Sequence, residues 1–435
     1  MNRIINYLLR FLLGVERASA YCGMIGYTSN PNFFKRYKLV IIPSRFFDAD
    51  IYGTADSLPR LPLVEIEGVP ILFGSARQDE MEGTRIVYAD IIASAYFLMT
   101  RYEEIQHRDI RDEHGRFPGR ESLPFKAGFI HRPVIEEYGQ LLRRWLRQAG
   151  VEIEEPKPMF RKIWLTHDVD APFFCRSVRN VLRETFRGGG FVQACKYFAG
   201  PLRRDPYYTF PWMLKQDQAV KEVYKDGRCE VVYFLKAGGH GKYDRPHYWL
   251  RSPDVHALLE LLKSKQVSFG LHTSYHAGEQ PSLIASEKET LDHVWNLGPV
   301  SMNRHHYLSL REPEDFDKLI RAGITDDFTM GYADVSGFRL GTCRPVKWIN
   351  PITRQMTSLT LHPLALMDSS LSDPKYMGLD AQEALSYSQA LLHTIYLHGG
   401  EAVLLWHNTS FSSLAPQRYH RQLYMDLLET ILSKK

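Results

Sequence analysis

Cysteine is scarce. The five residues, Cys22, Cys175, Cys195, Cys229 and Cys343, are scattered through 435 positions with no CxxC pair, so neither a disulfide framework nor a thiolate zinc site is expected, and a reducing, cytoplasmic setting is the simpler reading. No run of roughly 18 or more apolar residues occurs, which leaves no candidate transmembrane helix. An excess of one charge sign is also missing. The net charge is +4, too balanced for a nucleic-acid footprint. Internal repeats and low-complexity tracts are absent. What is present is a 44% hydrophobic share and a 24% charged share, with Leu, Tyr and Phe recurring along the whole length, which excludes disordered and fibrous classes. A chain this long exceeds the usual single domain, so two domains are expected.

The division falls at Glu154–Pro158 (EEPKP), where two prolines in a charged stretch disfavour helix. Residues 1–155 carry mixed strand-like and helix-like segments, an α+β pattern ending in a helical run from Pro133 to Gln148. At the N-terminus, Ile4, Ile5, Leu8, Leu9 and Leu12 share one helical face opposite Arg3, Asn6 and Arg10. Such a face packs on a domain, lies on a membrane surface as a peripheral contact, or belongs to a cleaved signal. From residue 160 to 435 short apolar runs alternate with helical patterns. Ile163–Thr166, Val231–Leu235, Val267–Leu271, Val300–Asn303, Thr360–Leu364 and Val403–Trp406 read as strands, and Val255–Lys263, Ser286–Val294, Pro313–Arg321 and Ala381–Leu397 as helices. That alternation argues for a parallel α/β arrangement, barrel or open sheet. One basic segment breaks the rhythm, with Arg176, Arg179, Arg183, Arg187, Arg203 and Arg204 between Pro172 and Pro211. It reads as a solvated helix face and glycine-rich loop, or as a patch for an anionic substrate or lipid phosphate.

Several of these strands end on residues able to bind metal or move protons: His167-Asp168-Val169-Asp170, His272-Thr273-Ser274-Tyr275-His276, Arg304-His305-His306-Tyr307, and His407. In a parallel α/β barrel the carboxyl ends of all strands lie on one face, so residues distant in sequence converge there. His272 and His276, four apart, fall on one side of a helical turn within reach of one ion, although each alone also reads as a surface or capping histidine. The Asp-x-Asp, by itself also a cap or turn, adds a carboxylate. Two nitrogens and one oxygen leave coordination positions open, as in a catalytic zinc-type site.

At these residues the sequence resembles the polysaccharide deacetylase family, carbohydrate esterase family four, whose fold is a distorted (β/α) TIM-like barrel. Its first motif, a base Asp followed by a metal Asp, resembles Thr166-His167-Asp168-Val169-Asp170. Asp168 takes the base position, Val169 stands where many members have the metal Asp, and the metal role passes to Asp170. The His-Ser/Thr-x-x-His motif is met by His272, Thr273 and His276. Arg304 and Tyr307 resemble the third motif, whose Arg orients the base, with His306 in place of a frequent proline. Asp326 or Asp327, before Phe328, resembles the Asp that tunes the acid histidine. Leu404-Leu405-Trp406-His407 resembles the fifth motif and gives His407 the general-acid role. The stretch through Gly337-Phe338-Arg339 resembles a pocket-bordering loop of bacterial members. The resemblance thus implies Asp168, Arg304, His407, Asp326 and Asp327 as catalytic residues; Asp170, His272 and His276 as metal ligands; and Tyr307, Phe338, Arg339 and Trp406 as substrate contacts. Residues 90–117 resemble an N-terminal domain found in one uncharacterised bacterial branch of the family.

The implied activity is removal of an N- or O-acetyl group from a sugar by a divalent metal, Zn2+ foremost, with Co2+ or Ni2+ also suitable. The carbohydrate substrate in a cytoplasmic setting would be nucleotide- or lipid-phosphate-linked. Two other readings stand beside it: a metal-dependent amidohydrolase of the same fold acting on a non-sugar amide, and a catalytically inactive glycan-binding protein. Fold alone does not choose among them.

Overall fold

The computed structural model describes residues 1–186 and 190–435. Six short strands come first: β1 (Ile25–Tyr27), β2 (Leu39–Ile41), β3 (Val64–Ile66), β4 (Val69–Ile71), β5 (Gly74–Met81) and β6 (Thr84–Ala89). They form a sheet in the order β1-β2-β6-β5 and a separate β3-β4 ribbon. Asp90 then caps the helix Ile91–Met99, its Oδ1 accepting from the Ala93 NH at 3.0 Å. Every residue of that helix is buried, as a helix apolar on all sides requires. The N-terminal helix, Asn2–Leu13, buries Ile4, Leu8, Leu9, Leu12 and Leu13. It packs on the helix Val134–Gln148, where a Cβ at Gly139 would lie 2.3 Å from the Leu12 carbonyl oxygen and Arg143 Nη1 donates to the Leu13 carbonyl at 2.8 Å. Of the three readings of this face, the structure realises packing. Among the described residues no helix is long and apolar enough to cross a membrane.

Beyond residue 160 lie β7 (Lys162–Val169), β8 (Cys229–Leu235), β9 (Ser268–Thr273), β10 (Met302–His305), β11 (Asp326–Asp327), β12 (Val346–Asn350), β13 (Gln355–Leu361), β14 (Leu366–Met367) and β15 (Glu401–Leu405). They build one sheet in the order β12-β13-β11-β10-β9-β8-β7-β15-β14. All neighbours are parallel except β12 against β13. The expected alternation is therefore present, but the sheet is open, since its edges β12 and β14 do not pair and no hydrogen-bonded barrel closes among the described residues. It curls nonetheless. Trp164 on β7 meets Phe328, next to β11, edge-on at 5.0 Å although three strands separate them in the order. The inside of the curl is filled by Val232, Phe234, Phe328, Val403 and Leu405. Gly270 on β9 leaves room there, because a Cβ would sit 2.2 Å from the Phe234 ring. Helices Phe210–Val223, Ile284–Trp295 and Ala381–Leu397 pack against β8, β9 and β15.

The expected boundary at 154–158 falls in a segment without helix or strand, yet a single apolar cluster runs across it, from Ile4 to Ile431. An ionic node joins the two sides as well. Buried Glu104 accepts from Arg339 Nε at 3.0 Å and Nη2 at 2.9 Å, and from Arg101 Nε at 2.9 Å. Burial opposes its charge, but the two guanidiniums hold its carboxyl down at about 2.

One buried imidazole carries a stability prediction. His362 stacks on Phe328 at 4.3 Å, with Nδ1 2.7 Å from Glu401 Oε2 and Nε2 3.1 Å from Asp326 Oδ1. Burial disfavours its cation, but Asp326 and Glu401 raise it to about 8. Its folded value therefore lies above the ordinary 6.5, so the stabilisation is fully present below about pH 6.5 and lost as pH rises through about 8, roughly 2 kcal/mol in all. Denaturant unfolding at pH 6 and pH 9.5 should show this loss in the unmodified protein and not in His362→Gln; equal slopes in both would contradict it.

Candidate metal centre

Side chains alternate across a strand, and residues paired between neighbouring strands share a face. The register pairs Asp168 with Phe234, Arg304 with His272, and Leu405 with Thr166. Asp168, His272 and Arg304 therefore lie on the inner face of the curl, and the same parity carries Asp170, His306 and His407 just past the strand ends. Asp170, His272 and His306 offer one ligand atom each, all within 4.8 Å of one another. Asp170 Oδ1 is 3.0 Å from His272 Nε2 and 3.4 Å from His306 Nε2.

The remaining imidazole nitrogens are fixed. His272 Nδ1 lies 2.9 Å from the Arg304 carbonyl oxygen and His306 Nδ1 3.2 Å from Asp244 Oδ1. A carbonyl and a carboxylate only accept, so both Nδ1 atoms must carry the proton. Each Nε2 faces the Asp170 carboxylate, a contact satisfied by a proton on the imidazole or by a metal cation between the three groups. Burial works against charge on Asp170, but His306 and the hydrogen bonds from His272 and His306 hold its carboxyl well below the usual range. Two nitrogens, one carboxylate and tethered outer nitrogens fit a catalytic divalent-metal site.

Two proton-handling groups flank these ligands. Asp168 Oδ1 accepts from Arg304 Nη1 at 2.9 Å, which leaves Oδ2 facing His272 Nε2 at 3.6 Å. Arg304 is fully buried, donating also to Thr166 Oγ1 and the Phe328 carbonyl. On the other side His407 Nε2 lies 3.6 Å from Asp170 Oδ2. Its Nδ1 bonds Asp368 Oδ1 at 2.8 Å and its main-chain NH bonds Asp368 Oδ2 at 2.8 Å. Burial lowers the imidazole, but Asp368, Asp170 and Asp168 together raise it to about 10. Ser410 completes the Asp368 shell at 2.5 Å.

A cavity of about 330 Å³ holds Asp168, Asp170, His306, Tyr307 and His407 in its wall, within the usual range for a small-molecule site. A larger one of about 670 Å³ shares Asp170, Ser369 and Ser410 with it and reaches Arg183.

Several sequence expectations need correction. His276 does not join the ligand group. It sits in a five-residue helix, Tyr275–Glu279, where its main-chain NH donates to Asp244 Oδ2 at 3.1 Å, and His306 takes the third position. Neither Asp326 nor Asp327 tunes His407. Asp326 bonds His362, and buried Asp327 accepts from Asn303 and Thr329. Phe338 and Arg339 are buried away from the cavity, with Arg339 held by Glu104. Trp406 faces outward onto Tyr424 at 5.3 Å. Tyr307, 38% exposed, does line the cavity. In the basic segment Arg176 folds back onto the Phe198 and Gly200 carbonyls; the Arg179 side chain and Arg187 lie outside the described residues.

Asp368 and Asp244 were not anticipated. Asp368 follows the two-residue strand β14, so the rule that picked out the other strand ends would have found it had that strand been legible. His306 was legible, standing two residues after Arg304 and so on its face.

Residues 3–150 match a family described as a family of unknown function (DUF7033). No curated protein matches the chain. Among solved structures, a protein provisionally described as a polysaccharide deacetylase from Mycobacterium smegmatis is 16% identical with a TM-score of 0.39, covering 65% of this chain and 86% of its own. A 4-alpha-glucanotransferase from Thermococcus litoralis is 13% identical with a TM-score of 0.35, covering 63% of this chain and 38% of its own. Both likenesses are too distant to bear on the reaction.

Proposed function

We propose that this chain is a metal-dependent hydrolase that removes an acetyl group, N- or O-linked, from a sugar. The observation that carries this reading is the mutual placement of three parts at one cavity: the Asp170, His272 and His306 donor set, of which Asp170 and His306 line the wall, a carboxylate with one oxygen held by Arg304, and an imidazole held by Asp368. When bound, a divalent metal supplies a charge that lowers the pKa of water from 15.7 toward about 7 and polarises the acetyl carbonyl.

The chain's own groups do the rest. Asp168 Oδ2, the oxygen Arg304 leaves free, takes the proton of the attacking water. His407, raised to about 10, is protonated at neutral pH and gives its Nε2 proton to the departing amine or alcohol. The acetyl C–N or C–O bond breaks, and acetate leaves with the oxygen of water. Each proton transfer by a placed group contributes roughly 10²- to 10⁴-fold. The neighbouring 670 Å³ cavity has room for the remainder of the substrate, and Arg183 in its wall suits a phosphate-linked aglycone.

The test is acetate release from penta-N-acetylchitopentaose and from an O-acetylated xylo-oligosaccharide, before and after chelation. Release should stop in the metal-free protein and return with zinc, cobalt or nickel. Undiminished release without metal would refute the reading.

A further inference from the structure

The first part of the chain reaches into this centre. Asp112 to Phe117 belongs to neither helix nor strand. Asp112 shapes it, Oδ1 accepting the main-chain NH of His114 and of Arg116 at 2.9 Å each. That turn sends Arg116 into the wall of the 330 Å³ cavity beside Asp168, Asp170 and His407. The buried guanidinium bonds Asp112 Oδ2 through Nε at 2.7 Å, the Tyr307 carbonyl through Nη1 at 2.8 Å and Tyr376 Oη through Nη2 at 3.2 Å. The His114 ring meets the Tyr307 ring at 4.7 Å. Tyr307 is thus gripped by main chain and by ring.

What is gripped would not hold itself. Tyr307 and Leu308 have φ of 60° and 52°, two successive left-handed L residues directly after His306. Such a conformation persists only where its surroundings impose it. We infer that Arg116 is a positioning residue, supplied by the first 150 residues, that holds the Tyr307–Leu308 turn so that His306 and Tyr307 face the cavity. The family of unknown function matched there would then contribute part of the site itself. This rests on the cavity being the working site.

The test uses the full chain with Arg116→Ala, Arg116→Lys and, as a control, Arg120→Ala. Arg120 also reaches Tyr376, through its carbonyl at 2.6 Å, without a bond to Tyr307. Hydrogen exchange over residues 305–310 should rise at least ~10-fold in Arg116→Ala, less in Arg116→Lys, and not in Arg120→Ala. Titration with zinc alone should weaken by roughly 10-fold in Arg116→Ala, the scale of a lost outer partner. Unchanged exchange at the turn, or an equal rise in Arg120→Ala, overturns the inference. If Arg116→Ala does not fold, Arg116→Lys carries the same comparison, with raised exchange confined to the turn expected and unchanged exchange overturning it. Both measurements need no substrate, so a failure to release acetate would refute the proposed reaction and leave this result standing.

Discussion

His306→Ala should empty the metal centre, whereas His276→Ala should leave it filled. Removing His306 takes away one of three donors and the hydrogen bond its Nδ1 gives to Asp244. Loss of an outer partner alone costs about 10- to 100-fold in metal affinity, so loss of a ligand should cost at least ~100-fold. His272→Ala and Asp170→Ala should behave alike. His276 contributes a main-chain NH to Asp244, which alanine keeps. Zinc titration of the two histidine variants decides the matter: retained affinity in His306→Ala with loss in His276→Ala would return the site to the His-x-x-x-His arrangement that the sequence resembles.

His407→Ala should lower turnover by roughly 10²- to 10⁴-fold while zinc affinity stays nearly unchanged. The same split is expected for Asp168→Asn. Asp368→Asn is the more informative change. It removes the charge that does most to raise His407 against burial. Because His407 acts as an acid, turnover falls as pH rises through its pKa, and Asp368→Asn should move that alkaline limb to lower pH. An unshifted limb in Asp368→Asn, or full turnover in His407→Ala, would assign the leaving-group proton to another residue.

The difference between His306 and His276 shows what the sequence makes legible. Long strands with clear apolar runs, such as β7 and β8, were placed within a few residues, and with them the polar groups at their ends. The pairing of His272 with His276 assumed a helical turn carrying both. The strand instead runs through His272, and the helix begins only at Tyr275. Strand parity, period two, was the rule that applied there, and it selects Arg304 with His306. Asp368 was hidden because β14 has two residues, too few for any periodicity. The three-residue strands β1 and β2 were hidden for the same reason. Whether the sheet closes depends on edge pairing at β12 and β14, a long-range property with no local signal.

The node around Glu104 has a consequence for descent. Replacing Glu104 alone would leave the buried Arg339 and Arg101 without their shared carboxylate, and replacing Arg339 alone would leave Glu104 with Arg101 only. Either single loss leaves a buried charge without its full complement, typically 3–5 kcal/mol, a large part of what holds any domain folded. Substitutions at Glu104 and Arg339 are therefore expected to be inherited as a pair.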